Sequence, residues 1–177
     1  NEDFVFGINV AQGGAIYSKT NLTLTNCVFN DNRAGSACAV TINGKGRIIN
    51  CSFANNFVEE ISTITAYGDA GTIISNSNFT KNAIVIDALC NLVVDGCNFI
   101  DNSGTAIVLD YYGNSEFFLN VSNCNFLNNN GDFGGGILSS VETTVINSTF
   151  KNNRATEGGG ILCYDKLSIE NCKFSDN

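Results

Sequence analysis

The chain has no His, Pro, Met or Trp, and only nine Lys and Arg against 17 Asp and Glu. Without histidine, triad chemistry and other imidazole-based mechanisms are excluded, and with no Cys-x-x-Cys either, a zinc site lacks its usual ligand set. Scarce cations and a net charge of -8 argue against nucleic acid or an anionic membrane as partner, because both need a basic face. No apolar run approaches the roughly 18 residues of a membrane helix, so the chain does not read as membrane-embedded. It opens at Asn1 with neither an initiator Met nor a signal-type segment, and reads as a mature or excised piece.

What is present is repetitive. At 177 residues and 44% apolar content the chain is long enough for one domain, residues 1–177, with a real core. The motif Phe-x-x-Asn occurs eight times in phase, as Phe6/Asn9, Phe29/Asn32, Phe53/Asn56, Phe79/Asn82, Phe99/Asn102, Phe126/Asn129, Phe150/Asn153 and Phe174/Asn177. Two residues before the last seven phenylalanines stand Cys27, Cys51, Ser77, Cys97, Cys124, Ser148 and Cys172. The column before that reads Asn26, Asn50, Asn76, Gly96, Asn123, Asn147 and Asn171, and two residues earlier come Leu24, Ile48, Ile74, Val94, Val121, Val145 and Ile169. The repeat is therefore aliphatic-x-Asn-(Cys/Ser)-x-Phe-x-x-Asn, with a period of about 24 residues.

Leu22 and Leu24 alternate with Thr23 and Thr25 as in a strand with one buried face, yet Cys27 and Phe29 have the opposite parity. A bend between them is required, and Asn or Gly suits it because both tolerate left-handed backbone. A second corner falls at Phe-x-x-Asn. A third strand begins at the glycine-led segments Gly13-Gly14-Ala15-Ile16, Gly134-Gly135-Gly136-Ile137 and Gly159-Gly160-Ile161-Leu162. Three short strands per repeat make a coil, and stacked coils bury a shared core. The expected fold is all-β, a right-handed parallel β-helix of seven to eight coils. Stacking turns Phe29, Phe53, Phe79, Phe99, Phe126, Phe150 and Phe174 into an aromatic column, and Asn32, Asn56, Asn82, Asn102, Asn129 and Asn153 into an amide ladder.

With Gly-Gly-Ala-Ile at residues 13–16 and Phe-x-x-Asn throughout, the chain resembles right-handed β-helix repeat proteins of the polymorphic outer-membrane and archaeal adhesin-like types. The middle coils depart from the glycine half of the pattern, carrying Cys38, Ile64 and Ile84 in that region. The resemblance implies a secreted or cell-surface location and an adhesive or structural role. A leucine-rich repeat is the rival fold, since Leu22, Leu24, Cys27 and Phe29 fit its strand. The other half of each repeat is glycine-rich and β-branched, without leucine-spaced helical stretches, which favours the β-helix.

The cysteines have two readings. Stacked Cys27/Cys51 or Cys97/Cys124 are close enough in a coil to form disulfides, whereas sharing a column with Ser77 and Ser148 marks them as small buried fillers with free thiols. Glycosylation sequons stand at Asn21, Asn50, Asn78, Asn120 and Asn147; Asn50 and Asn147 fall in the bend column, expected to be buried, leaving Asn21, Asn78 and Asn120 as candidate acceptors. The longest repeat contains Asp110-Tyr111-Tyr112, a candidate ligand loop whose tyrosines suit sugar rings. Asp87, Asp110 and Asp165 follow the third-strand region and are candidates for one face, although a solvated acidic surface explains them as well.

These features point to an extracellular structural protein or adhesin, without cofactor and not an enzyme. The alternative is a carbohydrate-binding or polysaccharide-cleaving β-helix acting on acidic glycans. The first and last residues lie in the same phase of the repeat, which predicts continuation into a longer solenoid or end-to-end self-association, with a glycan or host surface as the further partner.

Overall fold

A computed structural model describes residues 14–33, 37–57, 62–68, 70–110 and 117–177. Within them the chain climbs in rungs of three strands. The first three rungs are β1 (Ile16–Ser18), β2 (Leu22–Thr25) and β3 (Val28–Asn30); β4 (Ala37–Asn43), β5 (Gly46–Ile49) and β6 (Ser52–Ala54); and β7 (Ser62–Tyr67), β8 (Thr72–Ser75) and β9 (Asn78–Thr80). The fourth and fifth are β10 (Ile84–Leu89), β11 (Leu92–Asp95) and β12 (Asn98–Ile100), then β13 (Ile107–Leu109), β14 (Phe118–Ser122) and β15 (Asn125–Leu127). The last two are β16 (Ile137–Ser139), β17 (Glu142–Ile146) and β18 (Thr149–Lys151), then β19 (Ile161–Cys163), β20 (Leu167–Glu170) and β21 (Lys173–Ser175).

Every third strand pairs in parallel, giving three seven-stranded sheets that begin at β1, β2 and β3. Six circuits thus separate the first rung from the seventh; an eighth expected corner, at Phe6 and Asn9, lies outside the described residues. The leucine-rich alternative is set aside, because the return half of each repeat is a strand and not a helix.

The first and second sheets each bury a further column, such as Ile42, Ala66 and Ala88, but one inward column in each sheet follows the repeat. In the first it is Ile16, Val40, Ile64, Ile86, Ile107, Ile137 and Ile161. Ile64 therefore sits where the sequence pattern put it, but Ile84 pairs with Ser62, and the column member of the second rung is Val40 and not Cys38. The register of β4 on β7 shifts by one residue between Ala37 and Val40, so Val40 and not Ala39 stands beside Ile64. The second sheet contributes Leu24 through Ile169 in register, as the aliphatic column requires.

The third sheet carries the phenylalanines. Neighbouring rings stack with centroids 4.5 to 5.0 Å apart and planes within 11° of parallel. Phe53, Phe79, Phe99, Phe126 and Phe150 are fully buried.

Three residues on, the amide ladder closes the corner. The Asn82 backbone N–H and Nδ2 both donate to Asn102 Oδ1, at 2.9 and 3.2 Å, and Asn102 Nδ2 donates to Asn129 Oδ1 at 2.7 Å and to the Phe79 carbonyl at 3.2 Å. The same four bonds recur at Asn56, Asn82, Asn129 and Asn153, so each buried amide uses both N–H groups and both oxygen lone pairs.

The bend column has left-handed backbone as expected, with φ from 50° to 57° at Asn26, Asn50, Asn76, Asn123, Asn147 and Asn171, and 62° at Gly96. Its side chains are not buried: Asn26, Asn50, Asn76, Asn123, Asn147 and Asn171 are all exposed. The same turn that reverses strand parity points their side chains outward. A second left-handed column, Asp31, Asn55, Lys81, Asp101, Asn128, Asn152 and Asp176, precedes the ladder asparagines with φ of 53° to 57°.

Asn102→Ala leaves the Asn82 N–H and Nδ2 without their acceptor and removes the Asn102 Nδ2 donor from the Asn129 amide oxygen and the Phe79 carbonyl, at about 1–3 kcal/mol per stranded group. A fall of about 3 kcal/mol or more in urea unfolding free energy is expected. A loss under about 1 kcal/mol would show that the ladder is not a principal source of stability.

Candidate functional site

The column after the bend has a fuller role than filling space. Each Cys or Ser side chain donates to the carbonyl two residues back, from Cys27 Sγ to Thr25 at 3.4 Å through Ser148 Oγ to Ile146 at 2.8 Å. From Cys51 onward each also accepts the backbone N–H of the rung before: Cys51 N–H reaches Ser77 Oγ at 3.0 Å, and Cys97 N–H reaches Cys124 Sγ at 3.4 Å. Only a short side chain that both donates and accepts satisfies this position, which is why Cys and Ser alternate there and Ala does not appear. Burial pushes the Cys51 thiol up, and the bond shared with Cys124, together with burial, pushes Cys97 up. Such thiols are poor nucleophiles.

The acidic candidates divide. On the outer face of the first sheet, one register column runs Tyr17, Thr41, Thr65, Asp87, Val108, Leu138 and Leu162. Asp110 stands two residues beyond Val108, one rung above Asp87. Burial first, and then the Asp110 charge, raise the Asp87 carboxyl above the usual carboxylate range. Asp110 Oδ1 is buried and accepts no hydrogen bond from the described residues. Tyr67, one rung below Asp87, is pushed up by burial and by the Asp87 charge. Thr65, beside Asp87, is 1% exposed although it points away from the coil interior. Asp165 does not join them: it is exposed on the last rung, where it accepts the Lys166 N–H at 2.8 Å. Tyr111 and Tyr112 of the candidate loop lie outside the described residues.

A carboxyl whose proton is held more tightly than usual, beside a second carboxyl, is an arrangement that general acid–base chemistry uses, and the flanking tyrosine suits a sugar ring. Among the described residues no group of three His, Cys, Asp or Glu side chains gathers to hold a metal. A second concavity of about 590 Å³ opens at the third-sheet corner, lined by Asn128, Asn129, Asn130, Asn152, Arg154 and Asp176. Sequence reasoning missed it because Arg154 reads as an ordinary exposed residue. The available signal was the Asp/Asn column at Asp101, Asn128, Asn152 and Asp176, one residue before the ladder asparagines.

The three sequons proposed as acceptors are all exposed. Asn21 Oδ1 accepts the Lys45 N–H at 3.0 Å, Asn78 Oδ1 accepts from Asn98 Nδ2 at 2.8 Å, and Asn120 projects from β14 between Val93 and Thr144.

The described residues contain no helix long and apolar enough to cross a membrane. A family model described as right handed beta helix region matches residues 6–177. The chain is 26% identical over 128 residues to a metabotropic glutamate receptor-like protein P of Dictyostelium discoideum, an alignment covering 65% of this chain and 9% of that protein. It thus spans less than a tenth of the length of that relative. No solved structure matches.

A raised carboxyl pKa means that the folded chain binds a proton more tightly at Asp87 than the unfolded chain does. The stability linked to it is full below the ordinary carboxylate pKa and declines as pH rises through the folded value. Asp87→Asn is therefore expected to raise the urea midpoint at neutral pH and to weaken the loss of stability as pH rises above the ordinary carboxylate pKa. An unchanged pH dependence would remove Asp87 as its source.

Proposed function

Because the chain belongs to the right-handed beta helix family, we propose that it is an extracellular structural or adhesive rod of the outer-membrane and adhesin-like type, able to stack end to end. The observation that carries this reading is the common register of the rungs: the phenylalanine column and the aliphatic column of the second sheet run in step through every parallel pair. One face of a rung therefore matches the opposite face of every other, which is the geometry by which a second copy would add in register. The receptor-like name of the Dictyostelium relative supports a place at the cell surface.

Sedimentation and electron microscopy at rising concentration test the stacking. Rods that lengthen with concentration, and that stay short in Ile169→Lys, are expected. A single 18.8 kDa species at every concentration would remove self-stacking and leave continuation within a longer chain.

A second reading, binding or cleavage of acidic glycans, is favoured by the Asp87 and Asp110 pair beside Tyr67. It predicts turnover of an acidic polysaccharide that Asp87→Asn and Asp110→Asn each reduce at least about 100-fold, the scale of general acid–base contributions, with the fold intact by circular dichroism. Equal turnover in both variants would discard it.

A further inference from the structure

We infer that the structure sorts the five sequons: Asn21, Asn78 and Asn120 accept an N-linked glycan, while Asn50 and Asn147 are structural. The inference rests on the extracellular reading above, since the reaction belongs to the secretory route. In it, asparagine Nδ2 attacks the anomeric carbon of an oligosaccharide carried on a lipid pyrophosphate. The Nδ2–carbon bond forms, the carbon–oxygen bond to the pyrophosphate breaks, and Nδ2 gives up one proton. The state of Nδ2 in the folded chain therefore separates the sites.

All five asparagines are exposed, so exposure alone does not distinguish them. Asn50 Nδ2 donates to Asn26 Oδ1 at 2.6 Å, and Asn147 Nδ2 donates to Asn123 Oδ1 at 3.5 Å, both along the left-handed bend. A sugar on either nitrogen would stand in the gap between rungs. At Asn21 and Asn78 the amide is anchored through its oxygen instead, by the Lys45 N–H and by Asn98 Nδ2, and neither nitrogen donates to a described side chain. Asn120 lies in mid-strand on the outer face of the second sheet, with its amide free of side-chain bonds.

The placement has a functional corollary. Asn21 and Asn120 belong to the second sheet and its entry corner, and Asn78 to the third. Glycans there leave the first sheet, with Tyr67, Asp87 and Asp110, as the bare face of the rod.

The test is site mapping of the whole chain, secreted from a eukaryotic host behind a supplied leader and deglycosylated by an amidase in heavy-oxygen water. Isotope label at Asn21, Asn78 and Asn120, with none at Asn50 and Asn147, is the expected result. The variant N21Q/N78Q/N120Q should migrate like the enzymatically deglycosylated chain. Label at Asn50 or Asn147 in the folded, secreted chain would overturn the sorting, and an unlabelled Asn21, Asn78 or Asn120 would overturn that site's assignment. Because the leader is supplied, failure here concerns the acceptors alone. Failure of the extracellular reading would instead appear as an intracellular location in the source organism.

Discussion

The structure depends on register. A coil of about 24 residues cannot enclose a core, so the buried amides must find their partners one rung away. The amides at Asn56, Asn82, Asn102, Asn129 and Asn153 meet that demand with all four of their hydrogen-bonding positions occupied. A slip of one residue would strand them together with the phenylalanine carbonyls they hold. The aromatic column, the aliphatic columns and the Cys/Ser column all inherit the alignment those amides enforce. Insertions between repeats are tolerated only where they leave the ladder in step, as the 20- to 27-residue spacing of successive ladder asparagines shows.

That constraint is also why so much was legible. A side chain required at every rung leaves the same letter at every repeat, so the Phe and Asn columns and the left-handed bend can be read by alignment of the chain on itself. The bend's burial could not be read, because left-handed backbone suits Asn whether its side chain points in or out; only the geometry of the corner shows Asn50 and Asn147 outside. The first sheet was harder for a different reason. Its column tolerates Ile or Val, and a register shift near Ala37 moved its member in the second rung to Val40.

The candidate acidic site was only half legible. Asp87 and Asp110 occur once each and do not recur with the repeat, so nothing in the pattern distinguishes them from solvated surface acids. Their pairing arises from offset positions on adjacent strands, and the shift at Asp87 comes chiefly from burial, which a carboxylate's letter does not disclose. In a solenoid the repeated residues build the scaffold, and the unrepeated ones, sparse and without internal comparison, are where recognition is to be found.

The two buried side-chain columns share a direction. Backbone N–H groups can only donate, and in both columns they donate to the side chain of the following rung, as Asn82 does to Asn102 and Cys97 to Cys124. The orientation of every inner amide is thereby set, and the rod has a sense along its axis like that of an arrow. One end offers amide oxygens and the other offers N–H groups. Two like ends brought together would set donor against donor or acceptor against acceptor, so these columns continue only in the sense in which the chain itself climbs.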